Sequence, residues 1–107
     1  MSVTESFDGV SLTTRANVYF DGKCVSHGFE LPDGTRKSVG VVLPARLTFG
    51  TAAPEIMECV AGGCRVRMPG ETEWRSVAPG ESFTVAADSS FEIEVVDEPF
   101  HYICHYG

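Results

Sequence analysis

Basic residues are scarce in this chain of 107 residues, and long apolar runs are missing. Eight lysines and arginines stand against fifteen aspartates and glutamates, a formal net charge of −7. Nucleic acid is therefore not an expected partner, because a basic face supplies most of that affinity. An anionic membrane surface is excluded on the same ground. An anionic small substrate is not, since a pocket needs only one or two well-placed cations. No stretch approaches the run of about 20 apolar residues that a membrane-spanning helix needs. The opening Met-Ser-Val-Thr-Glu-Ser-Phe-Asp has neither the basic nor the apolar region of a signal peptide, so the cytoplasm is the expected location.

The four cysteines, Cys24, Cys59, Cys64 and Cys104, form no C-x-x-C pair. A zinc ribbon or a redox motif therefore does not follow from them, and buried thiols acting as small hydrophobes are expected. Of the three histidines, His101 and His105 share a strand face about 13 Å apart, too far to hold one metal ion. With His27 they read as surface residues.

Helical periodicity is also absent. Turn signals recur at Asp21-Gly22, Asp33-Gly34, Gly62-Gly63, Pro69-Gly70, Pro79-Gly80 and Glu98-Pro99. Between them lie short runs rich in Val, Phe, Ile, Thr and Tyr, which is strand chemistry. In Phe91-Glu-Ile-Glu-Val95 apolar and acidic residues alternate, giving one buried and one wet face. Leu47 and Phe49 share a side, as do Phe83 and Val85, and Phe100, Tyr102, Cys104 and Tyr106 lie along one face of the last strand. About nine or ten strands at this spacing indicate a single sandwich or barrel. The 43% of hydrophobic residues suffices for one core.

Gly62-Gly63 is the best-placed hairpin turn. A two-residue turn there sets Glu58 opposite Arg67 as a cross-strand ion pair. Ile56, Glu58, Val60, Arg65 and Arg67 then share one face, and Met57, Cys59, Ala61, Cys64, Val66 and Met68 the other. Glu55 has the parity of the apolar face, so a carboxylate stands at the entry of an inward surface. Residues 1 to 16 are less patterned. Phe7, Val10 and Leu12 there fit either an edge strand or a cover over one barrel end, and a frayed tail fits as well.

Glu55, followed after six residues by Gly62, resembles the second half of the first cupin motif, in which two histidines precede a glutamate. Those histidines would stand at Phe49 and Thr51. Gly80 and the following Glu-Ser-Phe-Thr-Val resemble the second motif, whose histidine would fall at Phe91. Neither phenylalanine offers a donor atom, and a carboxylate with one hydroxyl is a poor transition-metal site. The resemblance implies a small all-β cupin-like (jelly-roll) barrel without metal at that position.

A narrower resemblance runs from Asn17 to Tyr106. It rests on Tyr19-Phe20 with Gly22-Lys23, Gly28-Phe29, Arg36, Ser38-Val-Gly-Val41, Phe49, Thr51-Ala52, Pro54-Glu55 with Met57, Gly62, Trp74, Gly80, Phe83, Glu98-Pro99, and Tyr102 with Cys104. In order and spacing these residues are similar to the pyrimidine/purine nucleoside phosphorylases of cupin fold. The resemblance implies a family domain over residues 17–107 behind an N-terminal extension, 1–16. It also implies reversible conversion of purine and pyrimidine nucleosides and orthophosphate into ribose 1-phosphate and free base, with no metal or organic cofactor.

Such chemistry needs a phosphate cradle, groups for the ribose and its developing positive charge, and a place for the leaving base. Arg36 is the expected phosphate ligand because a guanidinium donates two parallel hydrogen bonds; Lys23 is the second choice. Glu55 and Tyr102 are the expected catalytic residues, the carboxylate accepting from ribose hydroxyls and stabilising charge near C1′. Thr51 adds a hydrogen bond, and Phe49 and Phe91 offer the base aromatic faces. Each also has an ordinary structural reading, as a surface arginine, a strand threonine or plain core. A non-catalytic cupin module binding a sugar or nucleotide is the alternative, and a metal held by Cys59, Cys64 and Glu55 a third reading. A homodimer is expected, because pairing hides strand edges.

Overall fold

The computed structural model describes residues 3–106; residues 1 and 2 of the expected extension and residue 107 of the expected domain lie outside the described residues. The strands are β1 (Ser11–Leu12), β2 (Asn17–Tyr19), β3 (Cys24–Glu30), β4 (Arg36–Val42), β5 (Ala45–Gly50), β6 (Glu55–Ala61), β7 (Cys64–Arg67), β8 (Arg75–Val77), β9 (Ser82–Val85), β10 (Ser90–Val95) and β11 (Phe100–Tyr106). A 3-10 turn, Phe20–Gly22, joins β2 to β3. Among the described residues no helix is long and apolar enough to cross a membrane. Turn chemistry ends the strands where expected. In the β3–β4 hairpin Asp33 Oδ1 accepts from the Thr35 N–H at 2.9 Å and Gly34 N–H donates to Leu31 O. At Pro69-Gly70 and Pro79-Gly80 the same device occurs twice. Glu71 and Glu81 reach back with their carboxylates to the backbone N–H of Met68 and Ala78, at 2.9 and 2.8 Å.

Two sheets face each other. Seven strands build the first, in the order β1-β3-β4-β11-β6-β9 with β2 also on β3, and four the second, in the order β5-β10-β7-β8. The architecture is an all-β, cupin-like sandwich, as expected. Period-2 alternation fills the space between the sheets. Phe91, Ile93 and Val95 of β10 point inward while Glu92 and Glu94 stay at the surface. Phe83, Val42, Phe100 and Cys59 meet them from the first sheet. Each large side chain so buried contributes about 1.5–3 kcal/mol. All four cysteines are buried free thiols within this fold.

The Gly62-Gly63 turn does not make a hairpin. β6 pairs with β11 and β9, while β7 pairs with β10 and β8, so the turn carries the chain from one sheet to the other. Glu58 and Arg67 therefore part. Arg67 bonds Glu92 at 2.9 Å, and Glu58 accepts from His105 at 2.9 Å. The split into faces holds nonetheless, with Met57, Cys59, Cys64 and Val66 inward. Side-chain parity is a local property of a strand; the choice of partner strand is not.

The N-terminal segment takes the edge-strand option and does not cover a barrel end; it lies against the outer face of the first sheet instead. β1 adds an edge strand to β3, and the Phe7 ring lies 4.9 Å from that of Phe29.

Candidate active site in the cavity between the sheets

A cavity of about 250 Å³ opens between the sheets, at the end where β4 and β6 begin and β11 finishes. Its two walls differ in chemistry. The first sheet presents Ser26, Ser38, Glu55, Cys104 and Tyr106, with Tyr102 and Met57 deeper; the second presents Phe49 and Phe91, joined at the side by Tyr19 and Phe20. One wall therefore offers hydroxyls and a carboxylate, and the other offers ring faces.

Parity explains the polar wall. Cys24 and Ser26 alternate inward on β3, Ser38 and Gly40 on β4, and Tyr102, Cys104 and Tyr106 on β11. Glu55 opens β6 directly opposite Tyr106. The Ser38 and Tyr106 hydroxyls are hydrogen-bonded at 3.0 Å. The Tyr102 hydroxyl is 3.7 Å from Cys24 Sγ, a weak partner, and the phenol end of its ring lies against Gly40, where there is no Cβ to displace it. Near this point the β6–β11 ladder slips between His101 and Tyr102, a β-bulge of the kind that re-aims side chains beside binding sites.

Glu55 is the one charged side chain among the described residues lining the cavity. Burial lifts its carboxyl above the usual glutamate value, and the Cys104 thiol beside it pulls it partly back. Burial, helped by the Glu55 charge, pushes the Cys104 thiol up to about 12. The Tyr102 and Tyr106 phenols are raised as well, chiefly by burial. At neutral pH the site thus holds a thiol and two phenols as neutral hydrogen-bonding groups.

On the aromatic wall the rings of Phe49 and Phe91 stack at 5.3 Å. Phe83 meets Phe91 edge-on at 5.5 Å and Phe20 meets Phe49 edge-on at 5.1 Å. Aromatic contact therefore runs unbroken from the core to the cavity mouth.

Of the residues expected to act, Glu55, Tyr102, Phe49 and Phe91 converge on this cavity. Thr51 does not line it. Its hydroxyl donates to Ala86 O at 2.7 Å and accepts from Ser89 N–H at 3.0 Å, closing the loop before β6. Arg36 and Lys23 are exposed and also lie outside the lining. Arg36 nevertheless has the parity of Ser38 and begins β4 at the cavity end of the sheet. Tyr106, Ser38, Ser26 and Cys104 also line the cavity, although the sequence pattern assigned them no role there. The parity of Tyr106 and Cys104 with Tyr102 was the signal that could have found them.

Arg46, Arg65, Arg67, Lys37 and His105 are engaged elsewhere. Arg46 and Arg65 pair with Glu94, Arg67 pairs with Glu92, and all three guanidiniums lie within 5.4 Å of the Trp74 ring centroid on the outer face of the second sheet. On the outer face of the first sheet Lys37 Nζ donates to His105 Nδ1 at 2.7 Å. Since an ammonium only donates, His105 carries its proton on Nε2 and gives that bond to Glu58. Cys59 stands four residues along β6 from Glu55, about 13 Å away at strand rise. Among the described residues no three His, Cys, Asp or Glu are grouped to hold a metal ion, which removes the Cys59–Cys64–Glu55 reading.

Comparison with known proteins places the chain in a family. Residues 14–106 match the family model described as pyrimidine/purine nucleoside phosphorylase. A protein of that name from Aromatoleum aromaticum is 68% identical over 107 residues, all of both chains. Another from Ralstonia nicotianae is 69% identical over 104 residues, 97% of this chain and 98% of its own. The match to the first of these includes the N-terminal segment that precedes the family model. Among solved structures, a protein of unknown function from Acinetobacter sp. superposes with a TM-score of 0.91 at 43% identity, covering 95% of this chain and 98% of that one. A cupin-2 domain from Rhodospirillum rubrum shares the fold at a TM-score of 0.67 and 15% identity, covering 97% of this chain and 73% of that one. With a family model spanning nearly the whole chain and relatives this similar end to end, the chain belongs to the pyrimidine/purine nucleoside phosphorylase family.

Proposed function

We propose that this enzyme carries out reversible, metal-independent phosphorolysis of purine and pyrimidine nucleosides in the cavity between its sheets. The observation that carries the reading is the two-faced cavity, with ring faces on one side and hydroxyls and one carboxylate on the other. A nucleoside has the same division, a flat base and a polyhydroxyl sugar. In the reaction the C1′–N bond breaks with its electron pair leaving on the base, and a phosphate oxygen forms the new C1′–O bond. Glu55 accepts from the ribose hydroxyls and stabilises the positive charge that develops near C1′. Tyr102 turns its neutral hydroxyl from the weak Cys24 contact toward the leaving base. Stacking on Phe49 and Phe91 reads no base edge, which fits tolerance of both base classes. Arg36 at the cavity end of β4 receives the phosphate, with Lys23 in support.

The test is base release from uridine and inosine with and without orthophosphate, in the presence of a chelator. Ribose 1-phosphate should form only with phosphate, and ribose 1-phosphate plus base should run the reaction backward. Glu55→Ala and Arg36→Ala should each lower kcat/KM by about 100-fold or more; wild-type rates in both variants remove them from the site. One observation favours a second reading, a non-catalytic sugar- or nucleotide-binding module: neither Arg36 nor Lys23 lines the cavity. Thermal stabilisation by nucleosides that stay intact would select it.

We also expect a cytoplasmic homodimer. The outer face of the seven-stranded sheet carries Val25, Val39, Val41, Val60 and Ile103 around an apolar groove of about 600 Å³, a surface that a second copy would cover. Light scattering that finds a monomer at working concentration removes the dimer, and cell fractionation checks the location.

A further inference from the structure

The 3-10 turn after β2 has an unusual backbone. Phe20 and Asp21 both take positive φ, +54° and +53°, before Gly22 at +91°. Asp88 is the one other non-glycine residue in that region among the described residues. A bulky side chain there is a conformational outlier, because the left-handed region crowds Cβ against the backbone. Strain of this kind persists where a side chain must be aimed somewhere its favoured conformation would not put it.

This turn aims the Phe20 ring at the cavity. The ring meets Phe49 edge-on at 5.1 Å, extending the Phe49–Phe91 stack to the mouth. Both Phe20 and its neighbour Tyr19 line the cavity, yet they are 41% and 47% exposed. Two aromatic rings half in water at the mouth of a cavity that Phe49, Phe91 and Met57 already line are not needed to complete the core. The turn is closed by Lys23 N–H donating to Phe20 O at 3.1 Å, and its far end is tied down by Leu43 N–H donating to Lys23 O at 2.8 Å. The ring is thus held at the mouth at the expense of local backbone energy.

The geometry points to Phe20 as a nucleobase platform, held open at the cavity mouth by its left-handed turn and setting affinity for the base half of the substrate. This rests on the nucleoside reading above and adds to it a residue outside the cupin-motif positions. Because an edge-reading group is absent from the platform, purines and pyrimidines are both accepted, the larger purine face gaining more.

Phe20→Asn tests this, since asparagine adopts the left-handed region readily and keeps the turn while removing the ring. The expected result is a melting temperature no lower than that of the wild type. The KM for adenosine should rise about 10-fold or more, the size of a lost base–aromatic contact. The KM for phosphate should not change, and Phe20→Tyr should restore the adenosine KM. An unchanged adenosine KM overturns the platform. So does a phosphate KM that rises in parallel, or a lower melting temperature with both constants unchanged. Calorimetric binding of adenosine without phosphate separates the two layers of the argument. If the wild type binds adenosine without turning it over, the reaction is wrong and the Kd of Phe20→Asn still judges the platform. If it neither binds nor converts nucleosides, both fall.

Discussion

Replacing Gly40 by alanine adds one methyl group to β4 and directs it at the ring of Tyr102. The new Cβ would lie 2.5 Å from the phenolic oxygen, 2.6 Å from Cζ and 2.8 Å from Cε2. Ordinary carbon contacts are about 3.5–4.0 Å, so the ring must retreat by roughly 1 Å. It is 7% exposed, and the Phe100 ring stacks on it at 5.7 Å, so the open direction is into the cavity. Gly40 has ordinary strand backbone. With free space beyond it, alanine would stabilise the protein by about 0.4–1 kcal/mol through the unfolded chain. The clash reverses that sign, because overpacking a filled site costs about 1–3 kcal/mol. In a domain of this size each kcal/mol lowers the melting temperature by roughly 4–8 °C. Thermal unfolding followed by circular dichroism measures the loss, and nucleoside KM should rise as the ring narrows the cavity. Tyr102→Leu removes the obstructing ring, so in that background Gly40→Ala should cost close to nothing, a coupling of about 1 kcal/mol or more. A Gly40→Ala protein that melts at or above the wild-type temperature refutes the reasoning, as does an equal loss in the Tyr102→Leu background.

Burial holds the Glu55 carboxyl above its ordinary value of 4.5, so the folded state binds that proton more tightly than the unfolded chain. The associated stability is present below the unfolded value and is lost as pH rises through the folded one. Glu55→Gln should therefore melt higher than the wild type at pH 7 and lose that advantage below about pH 4, while turnover falls sharply; a melting advantage independent of pH contradicts this. Gly62 has φ of +77°, and a Cβ on it would run into the carbonyl of Pro99. Gly62→Ala should cost more than the roughly 1–2 kcal/mol of left-handed backbone alone, and a urea midpoint that hardly moves would show that the corner is loose. Burial raises the Cys59 thiol to about 11 and the Cys64 and Cys104 thiols to about 12. At pH 8 the native protein should then react slowly with a thiol reagent and release four equivalents only when unfolded, whereas rapid labelling of one of these three would show an open path to it.

Much of this molecule is legible from local pattern. Alternation in β10 and β11 tells which residues point inward, because successive strand side chains point to opposite faces whatever the partner. Gly and Pro mark the turns, since few other residues supply the backbone angles. The four cysteines are buried as their setting suggests. The spacing from Glu55 to Gly62, with Phe49, Phe91 and Tyr102 at inward parity, selects four residues that do share one cavity. Local pattern is silent on pairing. It sets Glu58 against Arg67 across Gly62-Gly63, yet the two strands enter different sheets and the charges find His105 and Glu92. It offers the Thr51 hydroxyl to a substrate, while the folded loop binds that hydroxyl to Ala86 and Ser89. Asp21-Gly22 marks a turn, but nothing in those letters says that Phe20 joins it with positive φ and lays its ring on Phe49. Faces follow from the two-residue repeat of one strand. Partners, occupied hydroxyls and the aromatic mouth depend on contacts between segments far apart in the chain, and only the assembled sheets decide them.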